Sequence, residues 1–174
     1  MQDLTSHIAL MDEGIAHVAR ALPALPAVEA RLGRLLLMVG ASLDAVLVAE
    51  LKPYQLNHSE FLALMFLYSQ PDGRSTPSEL CACTSQGATN MTRIANTLAK
   101  RGLITRGIGS GDRRRIEIRL TPAGKRFVRK ILPPLFPHMQ AMFEGFSAGE
   151  TARLDRLLRK LAANIDRLAA RQAA

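Results

Sequence analysis

Residues 76–121 read TPSELCACTSQGATNMTRIANTLAKRGLITRGIGSGDRRRIEIRLT, and this stretch decides the fold. Thr76 and Glu79 have the spacing of a capping box, in which side-chain oxygens satisfy free N–H groups at a helix start. Pro77 suits the first helical position, where a missing N–H costs nothing. A short helix over 77–83 follows, then a longer one over about 86–101 that stops at Gly102. At 100° per residue, Ala88, Met91, Ile94, Ala95 and Leu98 share one side of this second helix. Gln86, Thr89, Arg93, Asn96 and Lys100 lie opposite, as expected of a helix with one face in a core. Residues 103–106 form a first short strand. In the second, Ile116, Ile118 and Leu120 alternate with Glu117 and Arg119, the period of a half-buried strand. Gly107, Gly109 and Gly111 supply the tight turn between them. Upstream, Asn57 and Glu60 cap a helix over 58–69. The order helix, short helix, longer helix, hairpin is that of a winged helix-turn-helix within a mainly α chain carrying a small β-hairpin.

Charge concentrates on the same stretch. Residues 85–130 hold twelve of the chain's 23 Lys and Arg but only Asp112 and Glu117 of its 15 acids. That segment therefore carries +10, and the rest of the chain −2, of the formal net charge of +8. Such local basicity is the footprint of a protein that sits on nucleic-acid phosphates, so double-stranded DNA is the expected partner. Ser85, Gln86, Thr89, Asn90, Arg93, Asn96 and Lys100 are the expected major-groove contacts, with Arg93 suited to a bidentate contact with guanine. Arg113, Arg114 and Arg115 form a cationic finger suited to the narrow minor groove. Asp112 would be repelled by DNA, so it is read as shaping the turn. Lys125, Arg126, Arg129 and Lys130 are expected to meet phosphate or solvent. The Gly-x-Gly-x-Gly run lacks the Lys-Ser or Lys-Thr of a phosphate loop and joins strand to strand, so it reads as a turn.

The remaining sequence supports this lobe. At 174 residues and 48% hydrophobic, the chain can bury a core without staples. The expected organisation is an N-terminal extension helix in 1–27, a DNA-binding lobe over 53–122, and a helical dimerisation region from 28–52 with 123–171. The apolar run 35–48, broken by Asp44, reads as too short to cross a bilayer, and the N-terminus lacks the pattern of a signal peptide. Cys81 and Cys83 are too close for a ready disulfide, which suggests a reducing compartment and a soluble, cytoplasmic protein with no membrane partner. Pro133, Pro134 and Pro137 are expected to kink or restart the helix that follows Thr121. Ser147 with Glu150 starts the last helix, whose Leu154, Leu157, Leu158, Leu161, Ile165 and Leu168 make a narrow stripe suited to a homodimer. His7, His17, His58 and His138 are scattered without a partner pattern, so no catalytic site, metal or cofactor is expected.

Pro77-Ser78-Glu79-Leu80, Thr89-Asn90-Met91-Thr92-Arg93-Ile94-Ala95, Lys100-Arg101-Gly102-Leu103-Ile104, Asp112-Arg113-Arg114 and Leu120-Thr121-Pro122-Ala123-Gly124 together resemble the MarR family of bacterial repressors, across about residues 28–170. Within that family the recognition-helix pattern and Leu132-Pro133-Pro134 look closest to the EmrR branch of multidrug-efflux repressors. The resemblance implies a two-fold dimer that holds a pseudo-palindromic operator and releases it when a small aromatic or phenolic effector binds. It further implies a ligand cleft where the dimerisation helices meet the lobe, with Met38, Ser42, Met65, Phe66, Tyr68, Phe136 and Met139 as candidate lining. Two other readings keep the fold: a thiol-based redox sensor working through Cys81 or Cys83, and a ligand-independent architectural protein.

Overall fold

A computed structural model describes residues 3–108 and 116–172. In chain order the elements are α1 (Leu4–Ala21), α2 (Ala27–Leu51), a 3-10 turn (Lys52–Tyr54), α3 (His58–Ser69), β1 (Arg74–Ser75), α4 (Pro77–Thr84), α5 (Ala88–Lys100), β2 (Ile104–Ile108), β3 (Ile116–Leu120), α6 (Pro122–Ala141) and α7 (Ala148–Gln172). The hairpin gains a third strand that the sequence reading lacked. The antiparallel order is β1-β3-β2, with Ser75 opposite Ile118 and Ile104 opposite Leu120. β2 also runs through Gly107 and Ile108, residues expected to lie in the turn.

Local chemistry fixes the element starts. Both capping boxes form: the Glu60 and Glu79 N–H groups donate to Asn57 Oδ1 (2.8 Å) and Thr76 Oγ1 (3.3 Å), and each Glu side chain accepts in return from the cap residue's backbone. The Glu79 carboxylate also accepts from the buried Ser75 hydroxyl at 2.7 Å, tying β1 to α4. Leu51, Leu64, Leu67, Leu80, Met91, Ile94, Leu98 and Ile118 are essentially inaccessible, so α3, α4, α5 and the sheet converge on one core. Each such side chain contributes roughly 1.5–3 kcal/mol through its removal from water.

The join between sheet and α6 depends on one hydroxyl. Thr121 Oγ1 donates to the Gly102 carbonyl at 2.7 Å and accepts from the Gly124 N–H at 2.9 Å, capping α6 while tying it to the end of α5. Gly124 is required by space: a Cβ there would lie 2.1 Å from the Leu103 carbonyl oxygen. Gly102, at φ +68°, is required by conformation, since it reverses the chain after α5.

Two expectations are corrected. Of the kink or restart expected at its prolines, α6 shows no restart; it continues through Pro133, Pro134 and Pro137 to Ala141. The carbonyls they deprive of donors belong to Arg129, Lys130 and Pro133, all at exposed positions where water can serve. Val128, Ile131 and Leu135 are buried on the other side. Residues 27–54 also form one helical stretch long and apolar enough to cross a membrane by length and composition, although the apolar run alone looked too short. Leu51 is the one buried residue of α2.

The chain clusters into two compact units, one up to Arg129 and one from Lys130 onward. In the second, α7 opens with a reciprocal cap in which the Glu150 N–H donates to Ser147 Oγ (3.2 Å) and the Ser147 N–H donates to the Glu150 carboxylate (2.9 Å). Leu157, Leu158, Leu161, Ile165 and Leu168 are exposed along this helix.

Candidate nucleic-acid interface

A turn of three residues sets how α5 is presented. α4 ends because Ser85 adopts a left-handed conformation (φ 52°), and its N–H and that of Gln86 return to the carbonyls of Ala82 and Cys81. Gly87 then serves as the N-cap, so Ser85 and Gln86 lie in the turn and not on the helix that the sequence had begun at residue 86. The Gly just before the polar-apolar periodicity was the available signal. From Ala88 onward the two faces separate: Met91, Ile94, Ala95 and Leu98 are buried, while Thr89, Arg93, Asn96 and Lys100 are exposed. Ala88, expected on the buried side, is exposed at the first turn.

The exposed face is held by hydrogen bonds. Gln86 Nε2 donates to the Thr84 carbonyl (3.2 Å), Asn90 Nδ2 donates to Gln86 Oε1, and Arg93 donates to Asn90 Oδ1 from Nε (3.1 Å) and Nη2 (2.9 Å). Arg106 reaches across from β2, donating to Asn96 Oδ1 (2.8 Å) and to the Thr92 carbonyl (3.0 Å). It therefore braces the sheet against the exposed side of α5. Arg106 and Arg101 are structural participants that sequence reading counted only as charge. Arg101 caps the far end of α5, donating to the carbonyls of Tyr54 (2.9 Å) and Gln55 (2.8 Å), with its guanidinium 5.2 Å from the centre of the Phe127 ring. Both are tertiary contacts that local spacing cannot encode.

The basic stretch thus divides. Arg101 and Arg106 hold the lobe together, Arg129 donates to the Tyr68 hydroxyl (3.2 Å), and Arg119 pairs with Glu117 (2.7 Å). Lys100, Lys125, Arg126 and Lys130 are exposed. Arg113, Arg114 and Arg115, the expected finger, and Asp112, expected to shape its turn, lie outside the described residues.

A cavity of about 600 Å³ opens beside α5, walled by Pro77, Cys81, Met91, Ala95 and Ile118, with Thr92 and Arg106 in its lining. That volume lies in the ordinary range of small-molecule sites. The expected ligand residues sit elsewhere. Met38, Ser42, Met65, Phe66 and Tyr68 are half-buried on α2 and α3, and Phe136 and Met139 are exposed on the other unit. Cys81 is half-buried, whereas desolvation pushes the Cys83 thiol up, away from the reactive thiolate. Among the described residues, no group of three or more His, Cys, Asp and Glu side chains could hold a metal ion.

The sequence pattern of the MarR family matches residues 54–115. The chain is 36% identical over 118 residues to the transcriptional repressor MprA of Escherichia coli, covering 68% of this chain and 67% of that one. A cysteine-to-serine variant of MarR from Escherichia coli, solved in complex with operator DNA, superposes with a TM-score of 0.67 at 25% identity, across 82% of this chain and 96% of that one. AbsC, a MarR family transcriptional regulator from Streptomyces coelicolor, shares the fold at a TM-score of 0.69 and 23% identity, over 82% of this chain and 97% of its own. The winged-helix lobe, with α5 exposed and braced by Arg106, and the extent of the likeness to MprA give one conclusion: this chain belongs to the MarR family of transcriptional regulators.

Proposed function

We propose that the chain is a cytoplasmic, homodimeric transcriptional repressor that holds a pseudo-palindromic operator and releases it to a small aromatic or phenolic acid. The carrying observation is the exposed row on α5, with Thr89, Arg93, Asn96 and Lys100 outward and an apolar face sealed below. Side chains of these types hydrogen-bond base edges, and a helix so mounted fits the major groove. The relatives supply the coarser terms, repressor in one case and operator DNA in another. A two-fold axis would place two copies of α5 about 34 Å apart, one turn of DNA. The open apolar surface of α2 and the leucine stripe of α7 are what a second copy would cover. This occupant, not a bilayer, is the reading proposed for α2. The resemblance of the recognition-helix pattern and Leu132-Pro133-Pro134 to the EmrR branch leads us to place the regulated genes in multidrug efflux.

The effector belongs in the cavity beside α5. Arg106 lines that cavity and at the same time holds Asn96 and the Thr92 carbonyl. A carboxylate entering the cavity would take the guanidinium as a charge-assisted bidentate pair, and an aromatic body would fill the apolar walls. Asn96 and the sheet would then lose their brace. The effector and the operator thus compete for one arrangement of Arg106. A metal, a cofactor or a catalytic step has no part in this reading.

Fluorescence anisotropy with duplexes selected from a random pool tests this directly. The expected result is preference for a two-fold symmetric sequence, binding of two chains per site, and release by salicylate-like acids, whereas Arg106→Ala, lacking the brace, binds the selected duplex more weakly and is not weakened further by the acid. Equal affinity for selected and random duplexes would defeat the repressor reading. Release of Arg106→Ala at the wild-type effector concentration would move the effector to the α2–α3 residues Met38, Ser42, Met65, Phe66 and Tyr68. Release by oxidant alone, abolished in Cys81→Ser, would favour a thiol sensor instead.

A further inference from the structure

Gln86, Asn90 and Arg93 are not three independent readers of bases. They form a directional chain rooted in the backbone of the turn, from the Thr84 carbonyl through the Gln86 amide and the Asn90 amide to the Arg93 guanidinium. The root is fixed, because Thr84 is buried and its own hydroxyl donates to the Leu80 carbonyl at 2.7 Å. The direction of the bonds carries the argument. An Asn or Gln reads adenine by accepting from N6 while donating to N7. Asn90 has its acceptor engaged twice by Arg93 and a donor engaged by Gln86, and Gln86 has its acceptor engaged by Asn90 and a donor engaged by Thr84. Asn90, with both lone pairs of Oδ1 taken by Arg93, cannot read adenine without dismantling the chain, whereas Gln86 keeps one lone pair and one amide hydrogen.

Arg93, by contrast, is held along one edge only. Its bonds to Asn90 come from Nε and Nη2, the side edge of the guanidinium. The end edge, formed by Nη1 and the second hydrogen of Nη2, remains as a pair of parallel donors matched to guanine O6 and N7. An exposed arginine ordinarily loses much rotamer freedom when it docks. One already held on the protein has less to lose.

We infer that Asn90, locked by Gln86, is a positioning residue that presets Arg93 to read a guanine, so that specificity at this point of the half-site is for guanine through Arg93 and not for adenine through Asn90. The inference rests on the operator-binding reading above. It differs from the plain expectation for a polar helix face, in which Gln86, Asn90 and Arg93 each take a base.

The test uses the full-length protein and duplexes selected by it, with every purine replaced one at a time by its 7-deaza analogue, which lacks the N7 acceptor. One guanine should be felt by the wild type and ignored by Arg93→Ala, at roughly tenfold in affinity for a good bidentate contact. At that same guanine, Asn90→Ala should lose most of the discrimination and Gln86→Ala a smaller share. Thermal unfolding of each variant checks that the fold is kept, and Gln86→Ala, in the turn outside the helix, stands independently of any helix effect at position 90. If Asn90→Ala instead loses its response at an adenine while keeping the guanine response, Asn90 is a direct reader and the inference is overturned. It is equally overturned if no guanine separates the wild type from Arg93→Ala. Absence of any preferred duplex for the wild type would overturn the operator-binding reading itself, a result distinct from both.

Discussion

α5 and α2 belong to the same compact unit and solve the problem of burial in opposite ways. In α5 the apolar residues are confined to one side and are closed off by α3, α4 and the sheet, so its polar side is left as a surface with its own hydrogen-bond order. In α2 apolar residues surround the helix, and Leu32, Leu36, Leu43, Val46 and Val48 stand exposed although 25 residues are helical. A helix finished within its own chain presents chemistry, and one left unfinished presents a demand for cover. The difference separates what the single chain can do from what requires a second.

The sharpest way to break this comparison is to put charge on α2. Leu36→Glu combined with Leu43→Glu leaves the core of the lobe untouched, since both side chains are exposed in the single chain. If a second copy covers them, the charges are buried without partners and the dimer separates. The expected outcome is a monomer by light scattering and a loss of about 100-fold or more in operator affinity, because linking two half-site contacts gains about that much. A variant that stays dimeric with wild-type affinity would show that α2 is covered by something else.

A second contrast, intermediate in size, uses glycine. Gly124→Ala drives a Cβ against the Leu103 carbonyl and within 2.8 Å of Leu120 Cδ1, both parts of the packed join between sheet and α6. Overpacking of this kind costs about 1–3 kcal/mol, and a backbone obstacle puts the cost at the upper end. Gly33, in the second turn of α2, has nothing within 4 Å of its would-be Cβ. Gly33→Ala should therefore recover the helix propensity that glycine forfeits, about 0.5–1 kcal/mol. Urea denaturation of each variant measures both signs. A neutral Gly124→Ala would mean that the sheet and α6 can move apart, and the tight join would not be what fixes the lobe.

The contrast also explains what could be read in advance. The starts of α3, α4 and α7 and the faces of α5 were legible because each rests on residues three or four apart, and the end of α5 because a single glycine, Gly102, marks it. β1 was not, since Arg74–Ser75 is too short to show any period and exists only because β3 offers it an edge. The left-handed Ser85 gave no warning either, because a serine in that conformation leaves no mark in composition. The roles of Arg101 and Arg106 depend on partners up to 47 residues distant, so a charge count had no means of separating them from the cations left for DNA. Continuation of α6 through three prolines follows from which carbonyls face water, a fact that only the packed structure supplies.

The smallest effect tests whether α7 starts independently of the lobe. Hydrogen bonds from the Ser147 hydroxyl and, next, from its backbone N–H hold the Glu150 carboxyl below its ordinary value. A carboxyl lowered in the folded state stabilises that state when ionised, so the contribution is present above the ordinary glutamate range and is lost as pH falls through that range to the lowered value. Acid should therefore fray the first turn of α7, and Glu150→Gln should remove that part of the pH dependence while keeping an acceptor for the Ser147 N–H. The site is fully exposed, so the effect is small and is best read as hydrogen-exchange protection of the amides at 150–152 between neutral and acidic pH. Protection at these amides that falls with acid equally in wild type and Glu150→Gln would assign the loss to the rest of the fold. The beginning of α7 would then depend on the packing around it, like α5, and not on its own cap.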